Sequence, residues 1–257
     1  MDITSLQNPR VKHIVKLRDD KKQRKQDGLM LVEGFDEIAL AISAGHKPQT
    51  LLSSPELASQ QLTFPAAESF SVTRAVFEKM SYRNNPDGWL AVFPIPSTAL
   101  DSVRLLTDVP LIIIAESIEK PGNLGAILRT ADAAHVDAVL LCDPRVDLWN
   151  PNVVRASRGT LFSVPVVECD NTSALEWLKS RKLRVLAATP SAEEIYSNAD
   201  MTQPIAIAVG TEDEGLTDFW MQNADLRVKI PMLGKVNSLN VSVSTALIVY
   251  EAVRQRQ

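Results

Sequence analysis

Apolar positions in the first ninety residues recur at short intervals that predict a mixed α/β unit. Apolar side chains in residues 11–17 fall near helical spacing. Residues 37–44 also read as a helix, which would end at Gly45, a common helix-stop residue. Short apolar runs predict strands at residues 29–32, 51–52 and 89–93.

From Leu111 onward, apolar runs of strand length alternate with amphipathic segments of helix length. Strands are predicted at residues 111–115, 138–142, 163–167, 184–188, 205–209 and 226–230. Helices are predicted from about residue 123 and at residues 152–158, 173–181, 216–223 and 240–254. This alternation indicates a parallel sheet with helices on both faces. Such sheets bind ligands beyond the carboxyl ends of their strands.

Prolines mark the boundary between the two patterns. Pro94 and Pro96 follow the last strand of the first pattern, and Pro110 directly precedes the first strand of the second. Proline cannot donate a hydrogen bond to a sheet. The chain is therefore expected to hold an accessory domain at residues 1–94, a linker at 95–109 and a larger domain at 110–257.

The distribution of charge changes this picture more than its total does. The chain carries a formal net charge of −4, which by itself disfavours a nucleic-acid binder. Residues 1–28, however, hold eight cations and four anions, a net +4 against −8 for the rest. This basic segment is either a solvated amphipathic helix or a surface that meets phosphates.

Composition sets limits on location and on metal chemistry. No apolar run approaches the roughly 20 residues of a membrane-spanning helix, so no membrane partner is expected. The start of the chain lacks an apolar stretch behind basic residues, and no secretory signal is expected. Two cysteines fit a reducing cytoplasm. The three histidines are scattered, so no metal site is expected.

Three loops in the larger domain carry unusual polar residues. The first, residues 119–130, places Asn123 at a helix entrance and Arg129 away from the apolar face of that helix. The second, residues 209–216, brackets three acids with Gly210 and Gly215. The third, residues 230–241, leads into a final helix that is apolar around most of its circumference. Each loop alone also reads as an ordinary turn with a helix cap.

Taken in order, these loops resemble the three motifs of the SpoU/TrmH family, within the SPOUT superfamily of RNA methyltransferases. The segments 5–12 and 31–34 resemble that family's accessory RNA-binding domain. The resemblance implies a knotted (trefoil), Rossmann-like α/β domain preceded by a small α/β RNA-binding domain. It also implies S-adenosylmethionine as methyl donor, no metal, and a homodimer.

The resemblance assigns roles to individual residues of this chain. The catalytic set would comprise Asn123, Arg129, Glu212, Ser238 and Asn240. The cofactor would be held through the backbone of Thr189, Gly210, Ile230 and Leu239. RNA phosphates would meet cations of the basic segment: Arg10, Lys12, Lys21, Lys22, Arg24 and Lys25. Departures from the family pattern occur at Lys120, Thr211 and Ser244, none of which removes a polar residue assigned to the reaction.

The implied reaction is transfer of a methyl group to a ribose 2′-hydroxyl. In the family the motif-one arginine is proposed as general base, but a guanidinium stays protonated at neutral pH and is a poor proton acceptor. Arg129 is therefore expected to act first as an electrostatic clamp on the hydroxyl and the adjacent phosphate.

Alternative functions stay open at this stage. The same fold could methylate a base, or bind RNA without catalysis. A nucleotide-dependent oxidoreductase is disfavoured because the G-x-G-x-x-G fingerprint is missing. Ribosomal RNA is expected as the substrate over transfer RNA, because of the accessory domain.

Overall fold

The computed structural model of the chain describes residues 2–60, 68–211 and 213–257. The chain divides into two compact units. The first unit comprises Met1–Ser97 and Asp147–Ser163, and the second comprises Thr98–Val146 and Val164–Gln257. Residues 147–163 thus belong to the first unit, whereas the apolar pattern had grouped them with the larger domain. Within the described ranges, no helix is long and apolar enough to span a bilayer.

Short elements build the first unit up to residue 97. They are β1 (Asp2–Ile3), α1 (Pro9–Asp19), α2 (Lys21–Asp27), β2 (Leu29–Glu33), α3 (Phe35–Ser43), β3 (Thr50–Ser53), β4 (Glu68–Val72), α4 (Arg74–Met80) and β5 (Trp89–Pro94). The strands form a mixed sheet in the order β1-β4-β3-β5-β2. Pairs β1–β4 and β4–β3 are parallel, and β5 runs antiparallel to β3 and β2. Its core includes Leu17, Leu31, Phe77 and Met80.

Strands and helices alternate along the rest of the chain. In order they are β6 (Leu111–Glu116), α5 (Pro121–Ala133), β7 (Ala138–Cys142), α6 (Pro151–Ser157), β8 (Val166–Cys169), α7 (Asn171–Ser180), β9 (Arg184–Ala188), β10 (Glu194–Ile195), β11 (Ile205–Val209), α8 (Asp218–Asn223), β12 (Leu226–Lys229) and α9 (Val241–Gln255). Of these, only α6 belongs to the first unit.

The second unit is built on one parallel sheet of seven described strands. Their order is β10-β12-β9-β11-β6-β7-β8, and every neighbouring pair is parallel. The central strands are buried along their length, as expected when helices cover both faces. The predicted α/β fold class is confirmed.

Most predicted elements of the second unit are present, with shifts of a few residues at their ends. The predicted strands at 138–142, 184–188 and 205–209 match β7, β9 and β11. The strand predicted at 163–167 begins at Val166, because residues 160–162 form a 3-10 turn. In the first unit the sequence patterns missed β1, α2, β4 and α4.

The segment 147–163 is anchored within the first unit by an ion pair and by aromatic packing. Arg24 on α2 is only 3% exposed, and its Nη2 lies 2.5 Å from Oδ2 of Asp147. The same guanidinium donates to the carbonyl oxygens of Leu17 and Arg18. Phe162 packs against Phe93, with ring centroids 6.2 Å apart.

This environment corrects the predicted role of Arg24 as a phosphate contact. Its guanidinium is buried and already holds one carboxylate and two carbonyl oxygens. A cation in that position has no open side for RNA. Lys12, Lys21, Lys22 and Lys25 are exposed, and Arg10 forms an exposed ion pair with Glu68.

We expect Arg24→Ala to lower the free energy of unfolding by about 3 kcal/mol, because it leaves the Asp147 carboxylate without its cation. The matched control is the adjacent exposed residue, since Lys25→Ala should change stability by no more than about 0.5 kcal/mol. Urea unfolding followed by circular dichroism measures both. Equal stability of the two variants would contradict a structural role for Arg24.

Candidate functional site

A cavity of about 540 Å³, here called the main cavity, lies in the second unit at the carboxyl ends of its strands. Its walls come from the loops that follow β9, β11 and β12 and from the start of α9. Because parallel strands end at the same edge of a sheet, these distant loops meet there. Ligand pockets typically measure roughly 300–1,000 Å³, so the main cavity is large enough for a nucleoside-sized molecule.

All four residues predicted to hold a cofactor line the main cavity. Thr189 follows β9, Gly210 follows β11, Ile230 follows β12, and Leu239 precedes α9. The predicted catalytic Ser238 lines it as well. Residues far apart in sequence are thus brought together around one space.

The lining combines apolar surface with carboxylates. Val228, Ile230 and Leu239 offer apolar contacts, and Asp213 and Asp218 add negative charge. S-adenosylmethionine has an aromatic adenine ring, whose flat faces pack against apolar side chains, and a sulfonium cation. A mixed apolar and acidic lining suits both parts, so the residues present fit this cofactor.

Gly210 allows the motif-two loop to close tightly over itself. A Cβ at position 210 would lie 2.0 Å from the carbonyl oxygen of Gly215, closer than any side chain tolerates. Thr211 and Gly215 exchange two backbone hydrogen bonds of 3.1 Å, and Gly215 has a φ of +71°. The close backbone approach explains the glycine at position 210, and the left-handed φ explains the glycine at position 215. Glu212, a predicted catalytic residue inside this loop, lies outside the described residues.

Motifs one and three are joined by a hydrogen bond between two predicted catalytic residues. Nδ2 of Asn240 donates to Oδ1 of Asn123 over 3.1 Å. Asn240 also caps α9, since its Oδ1 accepts from the backbone N–H of Ser242. Asn123 is not a cap: α5 begins at Pro121, which places Asn123 in the first turn. The two helices α5 and α9 pack together behind this contact.

A smaller cavity of about 110 Å³, the side cavity, adjoins the main one. Asn123, Lys120 and Arg145 line it, and both cavities share Thr211 and Asp213. Residues of motif one and motif two therefore line two neighbouring cavities that share part of their walls.

Arg145 is a site residue that sequence reasoning missed. It follows the carboxyl end of β7 and forms ion pairs with Glu119 and, at 3.7 Å, with Glu214. The hydrogen bond to the Glu119 carboxylate raises the pKa of the Arg145 guanidinium. Its position after a parallel strand was the available signal.

Arg129 is exposed on α5 and lines neither cavity. It lies six residues beyond Asn123 on the same helix. Arg129 is therefore a surface residue of α5 that a large substrate can reach, and it is not part of the wall of either cavity.

A buried carboxylate connects the base of motif one to the end of motif two. Glu116, only 1% exposed, ends β6 and accepts hydrogen bonds from the backbone N–H and the hydroxyl of Thr217, at 2.8 and 2.7 Å. It also accepts from Nδ2 of Asn171, whose Oδ1 accepts from Nε1 of Trp220. A buried carboxylate needs such donors.

The described side chains include no group of three or more His, Cys, Asp or Glu residues arranged to hold a metal ion. The two cavities are lined instead by a mixture of amides, hydroxyls, charged side chains, apolar side chains and backbone groups.

Comparison with known proteins identifies the family. The model of the SpoU rRNA Methylase family matches residues 110–250, more than half of the chain. The chain belongs to this family. Residues 8–91 of the chain also match the model of the MRM3-like substrate binding domain. The predicted family resemblance is confirmed.

Several similar proteins align with nearly the full length of the chain. The 23S rRNA (uridine(2479)-2'-O)-methyltransferase of Streptomyces viridochromogenes is 31% identical over 99% of this chain and 92% of its own. A crystal structure of an RNA 2'-O ribose methyltransferase is 41% identical, with a TM-score of 0.87 over 100% of this chain and 99% of that chain. The AdoMet-bound rRNA methyltransferase from Sinorhizobium meliloti is 27% identical, with a TM-score of 0.89 over 99% and 97%.

We expect Gly210→Ala to weaken S-adenosylmethionine binding at least tenfold, because the added Cβ would collide with the Gly215 carbonyl and displace the motif-two loop. Isothermal titration calorimetry measures the dissociation constant. Gly234→Ala is the matched control, since a Cβ there meets no atom within 4 Å. Unchanged binding by a folded Gly210→Ala variant would rule out this loop as a cofactor wall.

Proposed function

We propose that this chain is an S-adenosylmethionine-dependent methyltransferase that modifies a ribose 2′-hydroxyl in ribosomal RNA. The observation that carries the proposal is the Asn123–Asn240 hydrogen bond beside a main cavity lined by Thr189, Gly210 and Leu239. Family membership and the named activities of the relatives support it.

The second unit supplies the cofactor site in this proposal. The backbone of Thr189, Gly210, Ile230 and Leu239 holds S-adenosylmethionine, with apolar side chains against the adenine. Carboxylates of the lining favour the sulfonium charge over a neutral product.

Methyl transfer requires little chemistry from the protein itself. When bound, S-adenosylmethionine supplies a methyl group that is already activated by its sulfonium sulfur. The protein must hold the ribose oxygen in line with that methyl group and provide a route for the hydroxyl proton. Asn123, Asn240 and Ser238 keep the walls of the site in place.

Arg129 binds the RNA in this account. Its exposed guanidinium is free to form paired hydrogen bonds with the target hydroxyl and the adjacent phosphate. It lowers the pKa of the hydroxyl by its charge, and the proton leaves to phosphate or water. Glu212 belongs to the same catalytic set by its place in motif two.

The first unit contacts RNA through exposed cations of the basic segment. Lys12, Lys21, Lys22 and Lys25 are exposed on α1 and α2 and offer phosphate contacts that do not depend on sequence. Arg10 contributes only by exchanging its Glu68 partner for phosphate. Cys142 and Cys169 are free thiols, which fits a reducing compartment, and we propose that the protein is cytoplasmic.

A second copy of the chain covers an apolar strip on α9. Val243, Leu247 and Tyr250 are spaced at helical intervals and are 47%, 38% and 48% exposed. A contiguous apolar strip on a helix is typical of an interface between copies. We therefore propose a homodimer with the site completed near this interface.

Wild-type protein should convert one ribose of a 23S rRNA transcript to its 2′-O-methyl form, with Arg129→Lys lowering kcat about 100-fold. Nuclease digestion and mass spectrometry identify the product, and calorimetry should show unchanged cofactor affinity, because Arg129 lies outside the main cavity. The exposed Arg104→Lys is the control. Methylation of a base, or cofactor binding without methyl transfer, would contradict the proposed function.

Leu247→Asp should convert a dimer into monomers, because it places a charge in the centre of the apolar strip on α9. Light scattering coupled to size-exclusion chromatography measures the mass. Leu106→Asp is the matched control, since Leu106 is 78% exposed outside α9. A wild-type protein that is monomeric at micromolar concentration would refute the dimer.

A further inference from the structure

A third cavity, rich in arginine, lies within the first unit, and its arginines are distant in sequence from the basic N-terminal segment. This arginine pocket has a volume of about 450 Å³, and its lining residues are Glu37, Arg83, Asn84, Asn85, Arg155 and Arg158. The loop after α4 and the end of α6 supply most of the lining.

The pocket carries excess positive charge. Nη2 of Arg83 lies 2.5 Å from Oε1 of Glu37, so this pair is internally neutral. Asp87 lies 3.9 Å from the same guanidinium and accepts backbone N–H groups of Phe35 and Trp89. Arg155 and Arg158 are exposed and form none of the ion pairs found among the described residues. Two cations of the lining are therefore open to an anion on a chain of net charge −4.

An unusual backbone places Arg158 at the rim of the pocket. Arg158 and Gly159 both have positive φ values, +52° and +83°. A Cβ on Gly159 would lie 3.1 Å from Cα of Glu37, so glycine lets this turn approach α3. Arg158 is the left-handed C-terminal cap of α6, and its backbone N–H donates to the carbonyl oxygens of Arg155 and Val154, which fixes its backbone beside the pocket.

An aromatic ring stands beside the arginines. Tyr82 is 38% exposed, and the Arg155 guanidinium lies 5.6 Å from its ring centroid. Its backbone N–H donates to the buried Glu33 carboxylate over 2.7 Å, which holds the residue in place. Cations next to an exposed aromatic ring are the combination that binds phosphate and base of single-stranded RNA.

We propose that the arginine pocket binds one nucleotide of the RNA substrate, with phosphate on Arg158 and Arg155 and the base stacked on Tyr82. Asn84 and Asn85 offer amide groups for the ribose or the base edge. The inference rests on the proposed function, since it assumes that the substrate is RNA. It assigns an anchoring contact to residues outside the basic N-terminal segment.

The test measures binding of a 23S rRNA transcript to full-length variants by filter binding at several salt concentrations. Arg158→Asn, which suits the left-handed backbone, should weaken binding about fivefold and reduce the salt slope by about 0.7. Lys182→Asn is the matched control, because Lys182 is also an exposed cation with a positive φ, +57°, but lies in the second unit. It should change neither quantity.

Tyr82 variants separate stacking from a structural role. Tyr82→Leu should weaken binding about fivefold, whereas Tyr82→Phe, which keeps the ring, should bind as the wild type does. Thermal unfolding should be unchanged in both. Loss of binding in Tyr82→Phe equal to that in Tyr82→Leu would overturn the stacking contact.

Two further measurements distinguish this inference from the function on which it rests. With RNA saturating, Arg158→Asn should keep the wild-type kcat and cofactor affinity and show a raised KM. If wild-type enzyme methylates the transcript and Arg158→Asn binds it equally well, the pocket is not an RNA site and the enzymatic function stands. The alternative result is that the wild-type protein binds a decaglutamate peptide and that Arg158→Asn abolishes this binding while leaving RNA binding unchanged. That result would assign the pocket to an acidic protein segment and overturn the inference.

Discussion

Parallel strand pairing in the second unit is the constraint on which its site depends. Because all seven described strands run in one direction, the loops after β6, β9, β11 and β12 meet at one edge of the sheet. Polar residues from different loops then share a space that none of the loops could form alone. A single antiparallel strand among β9, β11 and β12 would carry its loop to the opposite edge and open the main cavity.

A few specific contacts fix the positions of the loops at this edge of the sheet. The carboxylate of Glu116 fixes Thr217 at the start of α8, and Asn240 fixes Asn123 at the start of α5. Gly210 removes a side chain where two backbone segments need to touch. The two side-chain contacts restrain one loop against another, and Gly210 lets motif two close on itself, so the cavity is pre-organised before a ligand arrives. Pre-organisation of this kind lowers the entropic cost of binding.

Patterns in the sequence predicted the elements that carry an apolar run or an apolar stripe, and they failed for elements that carry neither. The runs at β7, β9 and β11 are apolar at nearly every position, so a short window identifies them. The seven residues of α2 are mostly charged, and its one buried residue, Arg24, is an arginine, so no apolar stripe marks the helix. Arg24 looked like a phosphate contact because its partner Asp147 lies 123 residues away. Pairing at that separation is a property of tertiary structure.

The sequence indicated most of the residues of the candidate site, but not how they are arranged in space. Motif resemblance pointed to Asn123, Asn240 and the four residues predicted to hold the cofactor, all of which line the two cavities or join their walls, but not to the side cavity or Arg145, which no motif contains. The most direct measurement of the central claim is a crystal structure of the protein with S-adenosylmethionine. We expect the cofactor in the main cavity, hydrogen-bonded to backbone groups of Thr189, Gly210, Ile230 and Leu239. A cofactor bound elsewhere, or a cavity whose loops separate on binding, would contradict it.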